Sequence, residues 1–279
     1  MKALEIIKIG SNLLKEKKIR SHILDSELLL SKTLNKSREE ILINPDEELS
    51  KSNVLKFKKY LKRRSKDEPI AYILGEKEFW SKNFYVSQDT LIPRPETELL
   101  VEKLSLIFEG KKISILDIGT GSGCIILSLL SVLRQSTGIG IDVSGKALFI
   151  AKKNAIKHKL FNRVKFLNRS FENIFAVKFD LVVSNPPYIE RKEIKNLSND
   201  IKKYEPIMAL DGGNDGLDLI KKVIYKAKYI LKINGILALE IGNEQDRKVS
   251  KILIDNNFKI KHVIKDYKNN TRCLIAKLK

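Results

Sequence analysis

The first 75 residues carry apolar side chains at helical spacing. Val54, Phe57 and Leu61 fall at positions i, i+3 and i+7, which places them on one face of a helix. The segment INPDEEL separates two such helices, because Asn-Pro-Asp favours a turn. Residues 1–75 are therefore predicted to form a small helical bundle. A second apolar stripe, around DSELLLSKTL, consists of Ile23, Leu24, Leu28 and Leu29.

A different pattern covers residues 76–110. Phe79 and Phe84 lie in a stretch where apolar and polar residues alternate weakly, which indicates a short β-hairpin. Pro93 and Pro95 then end the extended chain. The helix that follows has acidic residues in its first turn, where the helix dipole favours negative charge. We expect residues 76–110 to be a linker with a short hairpin.

From residue 111 onward, short apolar runs alternate with longer helix-like segments. Strands alternating with helices are typical of parallel βαβ units whose sheet is covered on both faces. The last two runs are joined by DYKNN, which is short enough for a hairpin and makes the final strand antiparallel. Residues 111–279 are therefore predicted to form an α/β domain with a doubly wound, mostly parallel, seven-stranded sheet. The runs interpreted as strands are ISILDIG, TGIGID, VKFL, FDLVVSN, GILALEIG, FKIKHVI and TRCLIAKL.

Composition narrows the class of protein. The 279 residues are 43% hydrophobic, which is enough to fill a core and excludes a largely disordered chain. Two cysteines cannot form a disulfide framework, and no His/Cys cluster has metal-ligand spacing, so no metal is expected. No apolar stretch is long enough to span a membrane, and the amino terminus does not resemble a signal peptide. A reducing, cytoplasmic setting is the expectation.

The net charge allows two interpretations. Lysine and arginine number 53 against 34 acidic residues, a formal charge of +19. Such an excess is typical of proteins that bind a polyanion such as RNA. It also fits a lysine-rich composition without a specific role, since the lysines are spread along the whole chain. Nucleic acid is therefore not a required partner, although nonspecific binding stays open.

The first chemical motif is DIGTGSG at residues 117–123, after a strand and before a helix. Glycines at such a junction let the backbone approach a ligand closely, and a helix amino end suits an anion. The G-x-G-x-G spacing differs from the dinucleotide pattern and suits an amino-acid carboxylate rather than a pyrophosphate. Asp142 ends the next strand, where a carboxylate can accept both ribose hydroxyls of a nucleoside. A tight structural turn is the alternative.

The second motif is SNPPY at residues 184–188, at the end of the fourth strand. Ligands bind beyond the carboxyl ends of strands in open α/β sheets, so both motifs are expected to face one crevice. Two consecutive prolines lack N–H donors and hold the backbone rigid. The amide oxygen of Asn185 and a nearby carbonyl then form a pair of acceptors suited to a planar –NH2 group, with Tyr188 beside it. A proline-stiffened loop without chemistry is the alternative.

Together these motifs resemble the class I S-adenosylmethionine-dependent methyltransferases that modify amino groups conjugated to a π system. Four more segments narrow the resemblance: PIAYILGEKEFW, LIPRPETE, YEPIMALDGGNDGLD and LEIGNEQ. In this order they are similar to the release factor glutamine methyltransferase family (HemK/PrmC). Its members methylate the glutamine amide of the Gly-Gly-Gln (GGQ) motif in peptide chain release factors. The resemblance covers nearly the whole chain.

The family resemblance implies a Rossmann-like methyltransferase fold and S-adenosyl-L-methionine as the cofactor. It also implies protein-glutamine N-methylation, with peptide chain release factors as partners. A release factor that presents one loop to the crevice needs a second surface to hold its body, so residues 1–75 are expected to be the docking domain. The glycine run would contact the methionine part of the cofactor, Asp142 its ribose, and Phe171 its adenine. The implied cofactor-binding residues are Gly119, Thr120, Gly121, Ser122, Gly123, Asp142, Phe171 and Asn185.

The same resemblance implies how the substrate is held. Asn185 and Pro186 would accept the two N–H bonds of the glutamine amide, and Tyr188 would pack near its plane. These three are the implied catalytic residues. The implied substrate-binding residues are Asn185, Pro186, Pro187 and Tyr188.

Two positions depart from the family pattern. Ser170 stands where similar proteins carry an aspartate beside the adenine, and Lys268 stands where glycine is common. Arg94 and Glu96 have two open interpretations: they wall the crevice, or they start a helix and make a surface pair. His158 and His262 are expected in solvent, and Cys124 and Cys273 in the core.

Other functions stay open at this point. A ribosomal-protein glutamine methyltransferase shares NPPY and a helical front end, but similar proteins lack the PRPETE run. A DNA or RNA adenine amino-methyltransferase also uses an Asn-Pro-Pro-Tyr site and would carry a separate target-recognition region. A basic binding protein on an inactive methyltransferase fold would not need the intact glycine run, Asp142 and Asn185.

Overall fold

The computed structural model describes residues 1–174 and 177–279. The chain forms two compact units, each described here by itself. Among the described residues, no helix combines the length and the apolar character needed to cross a membrane. Unit 1 consists of residues 1–75 and 198–204, and unit 2 of residues 76–197 and 205–279.

Helices and strands follow the predicted order along the chain. The helices span Ala3–Glu16 (α1), His22–Leu34 (α2), Arg38–Ile43 (α3), Lys51–Arg64 (α4), Ile70–Leu74 (α5), Pro95–Ile107 (α6), Cys124–Val132 (α7), Gly145–Lys157 (α8), Asn199–Tyr204 (α9), Asp218–Ile230 (α10) and Asp246–Asp255 (α11). The strands span Glu76–Phe79 (β1), Lys82–Tyr85 (β2), Ser114–Ile118 (β3), Thr137–Asp142 (β4), Val164–Asn168 (β5), Phe179–Ser184 (β6), Leu231–Glu240 (β7), Phe258–Lys265 (β8) and Thr271–Leu278 (β9).

Unit 1 is the predicted helical bundle. Phe57 and Leu61 of α4 are buried in its core, as their spacing predicts. The stripe predicted on α2 is only half correct, because Leu29 is buried whereas Ile23 is 56% exposed. The inward face of α2 instead carries Asp25, which is 2% exposed and is paired with the Arg64 side chain. A buried ion pair therefore occupies a position that an apolar pattern would assign to a hydrophobic residue.

The short segment 198–204 belongs to unit 1 rather than to the predicted domain 111–279. The Tyr204 hydroxyl donates to the backbone carbonyl of Lys66 at 3.0 Å. The Lys203 ammonium donates to Asp67 Oδ2 at 3.3 Å. Helix α9 is thus held by the turn that follows α4, a pairing of residues far apart in sequence.

Unit 2 is built on a seven-stranded sheet in the order β5-β4-β3-β6-β7-β9-β8. The first five strands of this order are parallel, and β9 runs antiparallel to both β7 and β8. Side chains on β6 alternate between the two faces: Leu181 and Val183 pack into one core and Val182 into the other. The predicted doubly wound, mostly parallel fold with an antiparallel last strand is confirmed.

Residues 76–110 are part of unit 2 and are not a linker. Strands β1 and β2 form the predicted hairpin. Phe79 and Phe84 are buried in the same core as α6 and α7. The Glu98 carboxylate accepts the backbone N–H of Trp80 at 3.0 Å, which joins the hairpin turn to α6. The physical reason for the difference is burial, because the two phenylalanines, five positions apart on the hairpin, need a core to cover them.

Both histidines assigned to solvent are half-buried. The rings of His158 and Phe84 pack with their centroids 4.7 Å apart, and burial lowers the pKa of His158. Burial likewise lowers the pKa of His262 on β8. Cys273 is buried, and Cys124 is half-buried against the core. Aromatic packing against β2 explains why a lysine-rich neighbourhood does not leave His158 in solvent.

Candidate active site

The strand order reverses between β3 and β6, so the loops that follow these strands diverge and leave a crevice. The cavity at this position has a volume of about 510 Å³. Loops after β3, β4, β5 and β6 all contribute to it, which brings the two sequence motifs together. Its lining includes Gly119, Gly121, Asp142, Ser144, Ser170, Phe171, Asn185, Pro186 and Pro187.

The glycine loop after β3 turns back toward β4. The N–H groups of Gly119 and Thr120 both donate to the Ile141 carbonyl at 2.9 Å. Gly119 and Gly121 adopt φ values of +70° and +56°, a left-handed conformation that glycine accepts without strain. A Cβ on Gly119 would meet nothing within 4 Å, so its backbone faces open space in the cavity. The loop therefore offers bare backbone to a ligand.

Three residues of the same run lie outside the cavity lining, contrary to the prediction that they contact the cofactor. The Thr120 hydroxyl donates to Asp117 Oδ2 at 2.7 Å, and Ser122 is 2% exposed. Gly123 precedes α7, where a Cβ would lie 3.1 Å from Leu127. Burial raises the pKa of Asp117 to about 7. Thr120 and Ser122 point away from the cavity because they alternate with Gly119 and Gly121 along the loop, whereas Gly123 is already packed against α7.

Asp142 stands at the predicted place, at the carboxyl end of β4 and in the cavity lining. Its Oδ2 accepts the N–H of Gly121 at 2.9 Å, and its Oδ1 accepts the N–H of Ser144 at 2.8 Å. Each carboxylate oxygen has a further lone pair. The side chain is thus fixed in orientation and can still accept two hydroxyl groups from a ligand.

Phe171 also lines the cavity, at the start of a single 3-10 turn after β5. Ser170, which departs from the family pattern, caps this turn by accepting the N–H of Glu172 at 3.3 Å. A serine at this place keeps the turn without adding a carboxylate to the cavity. Phe171 therefore lines the cavity, where its contact with adenine stays a prediction, and position 170 lacks the acid common in similar proteins.

Asn185, Pro186 and Pro187 line the cavity directly after β6. Nδ2 of Asn185 donates to Thr97 Oγ1 at 3.4 Å, which leaves its amide oxygen for the cavity. Tyr188 is placed differently from the prediction, since it lies outside the lining and its hydroxyl donates to Glu240. Burial raises the pKa of Tyr188. The ring thus supports the loop from behind.

Thr97 and Glu240 are site residues that the sequence does not reveal. Glu240 ends the apolar strand β7 and is 1% exposed. Its Oε2 accepts the Thr97 hydroxyl at 2.6 Å, and its Oε1 accepts the Tyr188 hydroxyl at 3.2 Å. Burial raises the pKa of Glu240, and the hydrogen bonds from Thr97 and Tyr188 oppose that rise. The one sequence signal that could have indicated Glu240 is its place as a single acid at the end of the apolar strand β7.

Residues 88–91 form a wall of the cavity, so the segment LIPRPETE, which was a candidate for this wall, reaches the lining only with Leu91. Behind it, Arg94 donates to Glu205 Oε1 at 2.7 Å, and the N–H of Ile92 donates to Oε2 at 3.3 Å. Glu205 is 4% exposed. Arg94 and Glu96 do not line the cavity, so the wall interpretation fails for both. The surface-pair interpretation of Arg94 is also wrong, because its partner is buried.

The glycine-rich segment before α10 and the segment after β7 hold the proline loop in place. A Cβ on Gly212 would lie 2.8 Å from the Pro187 carbonyl oxygen, so only glycine fits there. The Gln245 amide donates to the Tyr188 carbonyl at 3.0 Å and to the Gly216 carbonyl at 3.3 Å. The segments YEPIMALDGGNDGLD and LEIGNEQ, which carry part of the family resemblance, thus pack against the NPPY loop and hold its conformation.

Known proteins define the class. The family described as PrmC N-terminal domain matches residues 5–75, and the family described as methyltransferase domain matches residues 109–276. A methyltransferase from Pyrococcus furiosus of solved structure shares the fold, with a TM-score of 0.53 and 17% identity over 70% of this chain and 88% of that one. The fold is that of a class I methyltransferase.

Closer relatives define the family. The release factor glutamine methyltransferase of Buchnera aphidicola subsp. Schizaphis graminum is 45% identical, over 91% of this chain and 92% of that protein. The chain belongs to the release factor glutamine methyltransferase family, which confirms the predicted resemblance. The bifunctional methyltransferase of Rickettsia conorii is 38% identical over 92% of this chain and 54% of that protein. The chain therefore spans about half the length of that relative.

Proposed function

We propose that this protein transfers a methyl group from S-adenosyl-L-methionine to the glutamine side-chain amide in the GGQ motif of peptide chain release factors. One observation carries the proposal. Asn185 lies at the cavity with its amide nitrogen engaged by Thr97, so its oxygen is left beside the rigid Pro186-Pro187 backbone. The amide oxygen of Asn185 and the carbonyl oxygen of Pro186 form a pair of acceptors that would match the two N–H bonds of a primary amide. The setting that we propose is the cytoplasm.

The residues at the cavity fit the proposed cofactor. A volume of about 510 Å³ lies within the range of pockets that enclose drug-sized ligands. Gly119 and Gly121 would hold the methionine part, Asp142 the ribose hydroxyls and Phe171 the adenine. When bound, S-adenosylmethionine supplies a methyl group made electrophilic by a sulfonium. The protein supplies an anchored carboxylate, an aromatic ring and bare backbone, which together orient the ligand.

The proline loop would make the amide reactive by holding it. An amide nitrogen is a poor nucleophile because its lone pair is delocalised into the carbonyl. Hydrogen bonds to Asn185 Oδ1 and the Pro186 carbonyl would fix the nitrogen with one face free and stabilise the positive charge that develops on it. Positioning supplies a large part of the barrier reduction. No side-chain base is needed before transfer, since the nitrogen becomes acidic only afterwards.

Unit 1 is proposed to dock the body of the release factor. A protein that presents one loop to a crevice needs a second surface to hold its bulk. Unit 1 carries exposed apolar side chains that a partner would cover, and the name of the Buchnera relative supports a release factor as that partner. These exposed apolar side chains include Leu4, Ile9, Leu13, Ile23 and Leu24.

Methyl transfer from labelled S-adenosylmethionine tests the function directly. A purified release factor is compared with the same factor in which the GGQ glutamine is replaced. Label only on the intact factor is the expected result, and it identifies both the substrate and the target residue. Label on neither factor, with cofactor bound, would contradict the proposal and direct the search to ribosomal protein or nucleic acid.

Asp142→Ala is expected to weaken cofactor binding at least about tenfold, because two hydrogen bonds to a charged group are lost. Isothermal calorimetry with S-adenosylmethionine measures the change. Asp89→Ala is the matched control, because it also removes an aspartate from the cavity lining. Among the described residues, the only ion pair of Asp89 is a long one, to Lys146 at 3.8 Å. Equal affinity in wild type and Asp142→Ala would contradict the ribose assignment.

A further inference from the structure

A chain of hydrogen bonds behind Asn185 ends on the carboxylate of Glu240. Asn185 Nδ2 lies 3.4 Å from Thr97 Oγ1, and Thr97 Oγ1 lies 2.6 Å from Glu240 Oε2. The Tyr188 hydroxyl occupies the other carboxylate oxygen at 3.2 Å. Thr97 is 2% exposed and Glu240 is 1% exposed. Because water does not reach these groups, each must find its partner within the protein.

The chemistry of the groups sets the direction of this chain. Both carboxyl oxygens of Glu240 accept a hydroxyl hydrogen, one from Tyr188 and one from Thr97, so the Thr97 hydroxyl has given its single hydrogen to Glu240. The Thr97 oxygen is then left as an acceptor, and the group that approaches it must be a donor. The Asn185 amide meets this demand only with its nitrogen turned inward and its oxygen left toward the cavity.

We propose that Glu240, acting through Thr97, sets the cavity to bind an –NH2 group rather than a carboxylate. The inference rests on the proposed function and deepens it, because it names the residues that select glutamine over glutamate. An Asn185 amide rotated by half a turn would present a donor to the cavity and would suit a carboxylate. Neither Thr97 nor Glu240 belongs to the cavity lining, so both are positioning residues.

This hydrogen-bond chain also gives a role to Glu240, a buried acid at the end of the apolar strand β7. Glutamine at position 240 would have the same shape as Glu240 but would carry both a donor and an acceptor. With a donor at that end of the chain, Thr97 could reverse its hydrogen bond and Asn185 could follow. The orientation of Asn185 would then no longer be fixed from behind.

Four variants separate this role from a structural one. Glu240→Gln and Thr97→Val keep the side-chain shape nearly constant but no longer fix the direction of the hydrogen bonds between Asn185, Thr97 and Glu240. Thr97→Ser keeps the hydroxyl group and therefore the hydrogen bonds. Asp180→Asn is the matched control. Asp180 lies at the opposite end of β6 and likewise accepts several hydrogen bonds, among them one from Lys232 at 2.8 Å.

Two quantities are measured on the full chain. One is kcat/KM for a release factor with intact GGQ, and the other is the inhibition constant of the same factor with glutamate in place of that glutamine. Glu240→Gln and Thr97→Val are expected to lower kcat/KM about 10- to 100-fold, the scale for a misplaced charge-stabilising dipole. They should also bind the glutamate factor about tenfold more tightly relative to the glutamine factor. Thr97→Ser and Asp180→Asn should remain near wild type in both.

The outcomes are distinguishable. If wild type does not methylate the intact factor, the proposed function fails. If wild type does so but Glu240→Gln and Thr97→Val keep its preference for glutamine over glutamate, the positioning role fails and the function stands. Should Glu240→Gln not fold, the contrast between Thr97→Val and Thr97→Ser decides. Equal activity of those two would overturn the inference.

Discussion

Asn185→Ala is expected to lower turnover at least about 100-fold, the usual cost of removing a group that stabilises developing charge. The substitution removes the amide oxygen that Thr97 and Glu240 leave for the cavity. Cofactor affinity should stay close to wild type, because the ribose and methionine contacts proposed for Asp142 and the glycine loop are untouched. Turnover is followed with labelled cofactor and intact release factor, and affinity by calorimetry.

A matched asparagine supplies the control. Asn256 lies in unit 2 outside the cavity lining, where its amide donates to the Ile252 carbonyl at 2.9 Å. Asn256→Ala should leave both turnover and cofactor affinity near wild type. Turnover of Asn185→Ala equal to that of Asn256→Ala would remove the amide-holding mechanism.

Asp25→Ala should destabilise unit 1 by about 3–5 kcal/mol, the cost of leaving a buried charge without its partner. Asp25 is 2% exposed, and its Oδ2 accepts from Arg64 Nε at 2.6 Å. Removing the carboxylate would leave the Arg64 guanidinium, itself 9% exposed, without its counter-charge. Native-state hydrogen exchange of the α1, α2 and α4 amides measures the free energy of opening of this unit.

An exposed pair in the same unit is the control. Lys2 and Asp46 also form an ion pair at 2.9 Å, but their side chains are 55% and 80% exposed. Asp46→Ala should therefore change the stability of unit 1 far less than Asp25→Ala. Trp80 is the single tryptophan and lies in unit 2, so its fluorescence reports that unit separately. Equal destabilisation by the two substitutions would contradict the argument from burial.

The sheet could be predicted because its signals are local. Each buried strand is a short apolar run, and the short connection DYKNN fixes the antiparallel direction of β9. Because parallel strands share one carboxyl edge, the placement of Asp142 and Asn185 around one cavity also followed, whereas Phe171 was expected there only from the family resemblance. Their roles stay predictions until the cofactor and substrate experiments are done.

The parts that failed depend on long-range pairing or on the direction of a side chain. Thr97 and Glu240 are 143 positions apart, and no spacing rule joins them. Thr120 and Ser122 sit inside the glycine loop, but a motif does not say which residues of a tight turn face inward. The prediction of an apolar stripe on α2 failed for a related reason. From the sequence alone Asp25 is expected at the surface, and only its pairing with the distant Arg64 allows it to be buried.

The membership of residues 198–204 in unit 1 makes that unit discontinuous in sequence. A truncation that ends at Gly75 would separate α1–α5 from α9, leaving Asp67 without the Lys203 ammonium and Lys66 without the Tyr204 hydroxyl. A chimaera that exchanges this unit between relatives must therefore transplant two pieces of chain together. The second piece is seven residues long and is inserted between Leu197 and Glu205 of unit 2.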